Sequence, residues 1–192
     1  MTRIIGGTAG GRRIKAPTGD STRPTSDRVR EALFSAIDAG LGSLTGLRFL
    51  DLYAGSGAVG LEARSRGAGV VTLVEHDRRT AELIRSNLRG LGFNGVDVVA
   101  TTVGKALATP PRAPYDVVFL DPPYPLDTAT VVADLEALRD QQWLAEDALV
   151  VVERSSRTGE LPWPAGFEPE REKKYGETTL WYGRAATIGP SA

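Results

Sequence analysis

The chain has 192 residues, 41% of them hydrophobic and 24% charged, with no cysteine and a single histidine, His76. This is the composition of a globular protein. The missing cysteines exclude disulfides, thiolate catalysis and Cys-based zinc sites, the lone histidine argues against a His-rich centre or a Ser/His/Asp triad, and no metal is expected. No apolar run approaches the roughly 18 residues that span a bilayer, and no apolar stretch opens the chain as in a secretory signal, so one compact, cytoplasmic domain is expected.

Net charge is −1, but residues 1–30 carry seven Lys/Arg against Asp20 and Asp27, a net +5, which leaves −6 for the remainder. A basic arm on an acidic body suits a polyanionic partner; a solvated, glycine-loosened segment is the alternative. Residues 3–18 read as two short β-like pieces around a Gly-rich turn, followed by a helix from about Ser26 to Ala39 with Val29, Leu33 and Ile37 on one face. These form an N-terminal extension over 1–40. Strand character follows at Leu47 to Leu52, Val70 to Val74, Val96 to Val99, Tyr115 to Leu120, Ala148 to Val152 and Thr178 to Tyr182. Several of these runs are apolar throughout, as in strands covered by helices on both faces. Between them lie helical stripes, Ala81, Ile84, Leu88 and Leu91, stopped by Gly92, and Val131, Leu135 and Leu138. Pro162, Pro164 and Pro169 break regular structure before a hairpin of about Gly166 to Tyr175 and Thr178 to Arg184. The body runs over 41–185 and residues 186–192 read as a frayed tail. Alternating strand and helix predict a doubly wound α/β fold, whose ligands bind at the carboxyl ends of the strands.

The first such end is Asp51-Leu52-Tyr53-Ala54-Gly55-Ser56-Gly57-Ala58-Val59-Gly60, with G-x-G-x-x-G at Gly55, Gly57 and Gly60. It follows a strand, opens a helix, and is followed 20 residues after Gly55 by Glu75, where a ribose-binding carboxylate belongs. The acid argues against a bare turn without a ligand. Asp51 separates the nucleotides that share this geometry. A carboxylate at the mouth of the strand repels a pyrophosphate but suits a ligand with an ammonium, a sulfonium and no phosphate. S-adenosylmethionine is such a ligand. Tyr53, Ala54, Gly55, Ser56 and Gly57 then form the loop it approaches, Asp51 faces its amino-acid end and Glu75 its ribose hydroxyls. His76 either flanks the adenine or is an exposed residue after the strand.

The fourth strand runs into Asp121-Pro122-Pro123-Tyr124. Two prolines stiffen this loop. Asp121 and the Pro122 carbonyl are placed to accept the N–H bonds of an exocyclic base amine, whose growing positive charge during methyl transfer preorganised acceptors stabilise. Tyr124 offers a stacking face for a flipped base.

These two motifs, in this order and spacing, resemble the class I S-adenosylmethionine-dependent amino-methyltransferases. Arg3-Ile4-Ile5-Gly6-Gly7, Gly11-Arg12, Arg23-Pro24-Thr25, Arg28-Val29-Arg30-Glu31-Ala32-Leu33-Phe34 and Gly60-Leu61-Glu62-Ala63 narrow the resemblance to the RsmD family. It covers residues 3 to about 184. The resemblance implies a Rossmann-like seven-stranded sheet with an antiparallel last strand, and a monomeric enzyme that methylates the N2 amine of a guanine in 16S ribosomal RNA of an assembled or partly assembled small subunit. It also implies that Arg23, Pro24 and Thr25 lie beside the cofactor's methionine end. Where many relatives carry an Asp or Asn for the adenine amine, this chain reads Ala100-Thr101-Thr102, so that contact falls to backbone or to a hydroxyl of Thr101 or Thr102. Arg3, Arg12, Arg13 and Lys15 are the expected phosphate contacts, with Arg23, Arg28 and Arg30 set aside for the cofactor side or helix packing. A DNA adenine-N6 or cytosine-N4 amino-methyltransferase shares both motifs, but the chain leaves little room for a target-recognition region. A protein glutamine methyltransferase would begin the second motif with Asn. A noncatalytic RNA-binding module would not account for Asp121 to Tyr124.

Overall fold

The computed structural model describes residues 2–18 and 25–186. The chain divides into two compact units, Met1–Val103 and Gly104–Ala192.

The first unit opens with β1 (Thr2–Arg3) and β2 (Arg13–Ile14), an antiparallel pair, and α1 (Asp27–Leu41). Then β3 (Arg48–Leu52), α2 (Ala58–Ser65), β4 (Val70–Glu75), α3 (Arg78–Leu91) and β5 (Val96–Ala100) alternate, with the strands parallel in the order β5-β4-β3. Register sets Asp51 opposite Leu73 and Glu75 opposite Ala100. Local chemistry starts and stops the helices where the sequence suggests. Ser26 accepts from the Val29 amide, Asp77 from Thr80, and Gly92 ends α3 in the left-handed region. Phe49, Leu50, Leu52, Val71, Leu73 and Val74 are buried, with Leu33, Phe34 and Ile37 of α1 and Ala81 and Ile84 of α3. β5 departs from the expectation of strands covered on both faces: it lies at the sheet edge, and Val99 is 37% exposed.

The second unit begins in α4 (Val103–Ala106), a single turn that straddles the division. It continues through β6 (Tyr115–Leu120), α5 (Thr128–Asp140), β7 (Leu144–Ser155), β8 (Phe167–Tyr175) and β9 (Thr178–Ala185). The order is β6-β7-β9-β8, with β6 and β7 parallel and β9 antiparallel to both neighbours. β7 extends well beyond the expected Ala148 to Val152, and Tyr115 at the start of β6 stacks on Trp143 just before it at 5.7 Å. Pro169 does not interrupt β8. It sits on the edge strand beside a register shift, between Pro169 and Arg171, where a missing N–H is tolerated. The strand after it reaches Ala185, buried, one residue beyond the expected hairpin, and the tail beyond Ala186 lies outside the described residues.

The fold is thus α/β with a mostly parallel seven-stranded sheet and an antiparallel last strand, the Rossmann-like arrangement expected. No helix among the described residues is long and apolar enough to cross a membrane.

Candidate active site

α2 starts behind Gly57, which has φ 80° and no side chain to accept the first-turn amides. Those amides need an outside acceptor. Asp51, 1% exposed at the end of β3, supplies one: its Oδ2 accepts the Gly60 amide at 2.9 Å, while Ser56 Oγ accepts the Ala58 amide at 3.3 Å. A Cβ at Gly60 would stand 2.7 Å from Leu73 Cδ2, so any side chain there would force Leu73 or the loop to shift. Burial pushes the Asp51 carboxyl well above the ordinary aspartate range, the Gly60 amide opposes that rise, and the nearby Glu75 carboxylate adds to it. Besides the ligand expected of it, Asp51 grips the first turn of α2.

Glu75, 7% exposed at the end of β4, holds the other side of the loop. Its Oε2 accepts the Gly55 amide at 2.8 Å and its Oε1 the Asp77 amide at 3.1 Å. Gly55 has φ 56° and open space where a Cβ would be. The loop therefore presents bare backbone between two carboxylates, a surface that fits a cationic, phosphate-free cofactor and opposes a pyrophosphate. Tyr53 adopts φ 61°, an uncommon backbone state for a residue with a side chain and one that concentrates at ligand loops. Ala54 donates its amide to Val74 O at 3.0 Å. The His76 side chain is 69% exposed, with Nδ1 3.3 Å from Glu75 Oε1. Thr101 is half-buried, its amide on Val99 O at 3.1 Å, and Thr102 is exposed. Thr25 is half-buried and its carbonyl accepts from Arg30 Nη1 at 3.3 Å, whereas Arg23 and Pro24 lie outside the described residues.

In the second unit, β6 ends directly at Asp121, half-buried, and Pro122, buried. Pro123 is exposed and its carbonyl accepts the Leu126 amide at 2.9 Å, closing a turn that leaves Tyr124 49% exposed. Arg154, buried on β7, donates from Nη2 to Leu126 O at 3.1 Å and so ties down the loop that carries Tyr124. Arg154 is a site residue with little to mark it in the sequence. The only signal was a cation ending an apolar strand.

Over residues 2–18 the basic arm is packed, in place of the loosened, solvated segment given as the alternative. Ile4, Ala9 and Ile14 are buried in one cluster with Ala58 and Leu61 of α2. Arg12, Arg13 and Lys15 are exposed. Arg12 donates to Gly90 O at 2.6 Å, the Lys15 backbone exchanges two hydrogen bonds with the Asn87 side-chain amide, and Arg3, also exposed, pairs with Asp27 at 3.1 Å. Arg30 is fully buried and donates to Glu62, to Asp27 and to the carbonyls of Arg3 and Thr25.

A groove of about 540 Å³ lies along the Pro-rich segment, between Trp163 and Trp181. Its wall carries Glu160, Glu170 and Glu172 against one cation, Arg171, which lies over the Tyr182 ring at 4.8 Å. Those carboxylates oppose a phosphate backbone.

A family model described as Conserved hypothetical protein 95 matches residues 2–184. Ribosomal RNA small subunit methyltransferase D of Escherichia coli K12 is 38% identical over 175 residues, spanning 91% of this chain and 85% of that protein. The chain belongs to the small subunit methyltransferase D family. The Haemophilus influenzae methyltransferase D is 34% identical, over 91% of this chain and 89% of that one. Among solved structures, the Escherichia coli protein yhhF superposes with a TM-score of 0.85 at 37% identity, covering 96% of this chain and 98% of the other.

Proposed function

We infer that the protein is an S-adenosylmethionine-dependent ribosomal RNA methyltransferase whose target is the exocyclic N2 amine of a guanine in 16S rRNA of the small subunit. The observation that carries this reading is the open Gly55 backbone set between two buried carboxylates, Asp51 and Glu75, in a chain of the methyltransferase D family. S-adenosylmethionine, when bound, supplies an electrophilic methyl on its sulfonium. Asp51 accepts from the ammonium of its amino-acid end, Glu75 accepts from the ribose hydroxyls, and Gly55 to Gly57 admit it against the backbone. Arg23, Pro24 and Thr25 border its methionine end, while His76, Thr101 and Thr102 border the adenine.

Asp121 and the Pro122 carbonyl accept the two N–H bonds of the guanine amine. This draws the nitrogen toward sp³ geometry and frees its lone pair for the methyl. Positive charge builds on that nitrogen as the methyl leaves the sulfonium sulfur for it, so fixed acceptors stabilise the transition state more than the ground state, and one N–H proton is then given up to Asp121 or to water, leaving the neutral methylated amine. Tyr124 stacks on the extruded base. Arg3, Arg12, Arg13 and Lys15 hold phosphates of a structured particle, which a monomer acting in the cytoplasm can approach. The test is transfer of labelled methyl to small ribosomal subunits from cells lacking the enzyme, followed by nucleoside analysis. N2-methylguanosine is expected; N6-methyladenosine would overturn the reading.

A further inference from the structure

One buried carboxylate has no part in the chemistry above. Glu62 lies on α2, two residues past Gly60, and is 0% exposed. Its oxygens accept four donors. Oε1 takes the Ile5 amide at 2.8 Å and Arg30 Nε at 3.3 Å; Oε2 takes the Gly6 amide and Arg66 Nε, both at 2.9 Å. A buried carboxylate so supplied is fully satisfied. Two of its four donors are backbone amides of the arm, which a helix-to-helix ion pair alone would not recruit.

The same turn is held again one helical turn on. Ser65 Oγ donates to Gly6 O at 2.6 Å and accepts the Ala9 amide at 2.9 Å, and Ser65 O accepts the Thr8 amide at 2.8 Å. Gly7 sits there at φ 75°, and a Cβ would stand 2.0 Å from Ser65 O, so the arm lies directly against the helix backbone. From that anchor the arm reaches its cations through two cross-links, Ile4 to Arg12 O and Gly11 to Ile4 O, each 2.8 Å. Arg12, Arg13 and Lys15 thus sit on a short hairpin whose turn is bonded to α2, the helix that follows the glycine loop, and whose far side meets α3 through Arg12 to Gly90 O and the Lys15 backbone to Asn87.

We propose that Glu62 is a positioning residue for RNA: by fixing Ile5 and Gly6 it sets Arg12, Arg13 and Lys15 at one height along α2 relative to the glycine loop, so that RNA gripped by the arm arrives in register with the cofactor. This rests on the arm being the phosphate-binding element.

The experiment compares full-length Glu62→Gln with the Arg12→Ala/Arg13→Ala/Lys15→Ala triple variant and with their combination. Small ribosomal subunits lacking the modification are the substrate, and S-adenosylmethionine affinity is followed by calorimetry. Expected for Glu62→Gln are a KM for the particle raised about 10-fold, kcat and cofactor affinity within about 3-fold of wild type, and amides of Ile5 and Gly6 exchanging faster than those of α2. Each lost phosphate contact lowers the slope of log affinity against log salt by roughly 0.7 to 0.9, so both Glu62→Gln and the triple variant should show a slope shallower by about 2 to 3. The combined variant should have a KM within about 2-fold of the worse parent, because both changes remove the same contacts. A general loosening of the fold would instead multiply the two effects.

Multiplying KM effects, a wild-type salt slope in Glu62→Gln, or loss of cofactor affinity in place of RNA affinity would overturn the proposal. If the triple variant keeps the wild-type slope, the arm reading itself falls and the proposal with it; if only Glu62→Gln does, the arm reading stands alone. Should Glu62→Gln not fold, Arg66→Met removes a donor at the 19% exposed end of the cluster, and the same pattern at about 3-fold in KM is expected.

Discussion

Asp51→Asn separates two demands placed on one side chain. In the fold, Oδ2 holds the Gly60 amide, a task an asparagine oxygen performs equally well. In the proposed function, the negative charge faces the cofactor's ammonium. A hydrogen bond between charged groups is worth about 1.5 to 3 kcal/mol, which converts to roughly 10- to 150-fold in affinity at 1.36 kcal/mol per decade. Cofactor binding by Asp51→Asn should weaken by that factor in calorimetry. Stability should move the other way. Burial raises the Asp51 carboxyl above its ordinary range, so between that range and the raised value the folded state binds more protons than the unfolded chain, and this group's contribution to stability falls as pH rises through that window. The asparagine carries no such penalty, so thermal melts should place Asp51→Asn at or above wild type at neutral pH, with the advantage shrinking in acid. A cation arriving beside the carboxyl favours its ionised form, so wild-type affinity should also rise with pH across the same window and the variant's should not. Unchanged affinity in the variant, or a variant less stable than wild type at neutral pH, would refute the reasoning.

Glu75→Ala should weaken S-adenosylmethionine about 10- to 100-fold, since it removes hydrogen bonds to a charged acceptor, and isothermal titration of the folded variant measures it. Asp121→Ala should keep cofactor affinity within a few-fold while single-turnover methyl transfer slows by on the order of 100-fold or more, the loss expected of a transition-state acceptor. Tyr124→Ala should show instead a weaker hold on RNA, by about 1 to 3 kcal/mol of stacking, seen in KM for the particle. Gly60→Ala forces a methyl against Leu73 and should cost about 1 to 3 kcal/mol of stability by overpacking, read from denaturant unfolding; a variant as stable as wild type would mean that the loop shifts freely.

The strands and helices were legible because their signals are local. The Gly92 stop and the apolar run from Tyr115 to Leu120 each specify structure within a few residues, and the glycine loop declares itself through its spacing together with the strand before it, the helix after it and Glu75. Pairing was harder to read. Val96 to Val99 carries three valines around Asp97, and its edge position, set by which strands pair, decides its exposure. Glu62 and Arg154 went unread for the same reason. Their partners, Ile5 and Gly6 for one and Leu126 for the other, lie 57, 56 and 28 residues away. A charge in an apolar helix or strand signals only that some distant group must meet it. Asp51 was legible as a site acid and illegible as a helix cap, because its bond to Gly60 depends on how the loop folds back.

The outer strand of the second unit bears on how the protein behaves when crowded. β8 exposes Glu168, Glu170, Arg171, Glu172, Lys173 and Lys174, has no N–H to offer at Pro169, and is bent by the irregularity that follows. Each feature discourages a foreign strand from adding to an open edge. Nine residues of sheet margin, long enough to template an aggregate, are instead protected by charge and by one proline. High-level expression should therefore tolerate changes in the turn at Gly176 far better than the exchange of Pro169 and its flanking glutamates for β-branched residues, which would turn this margin into a surface for polymerisation.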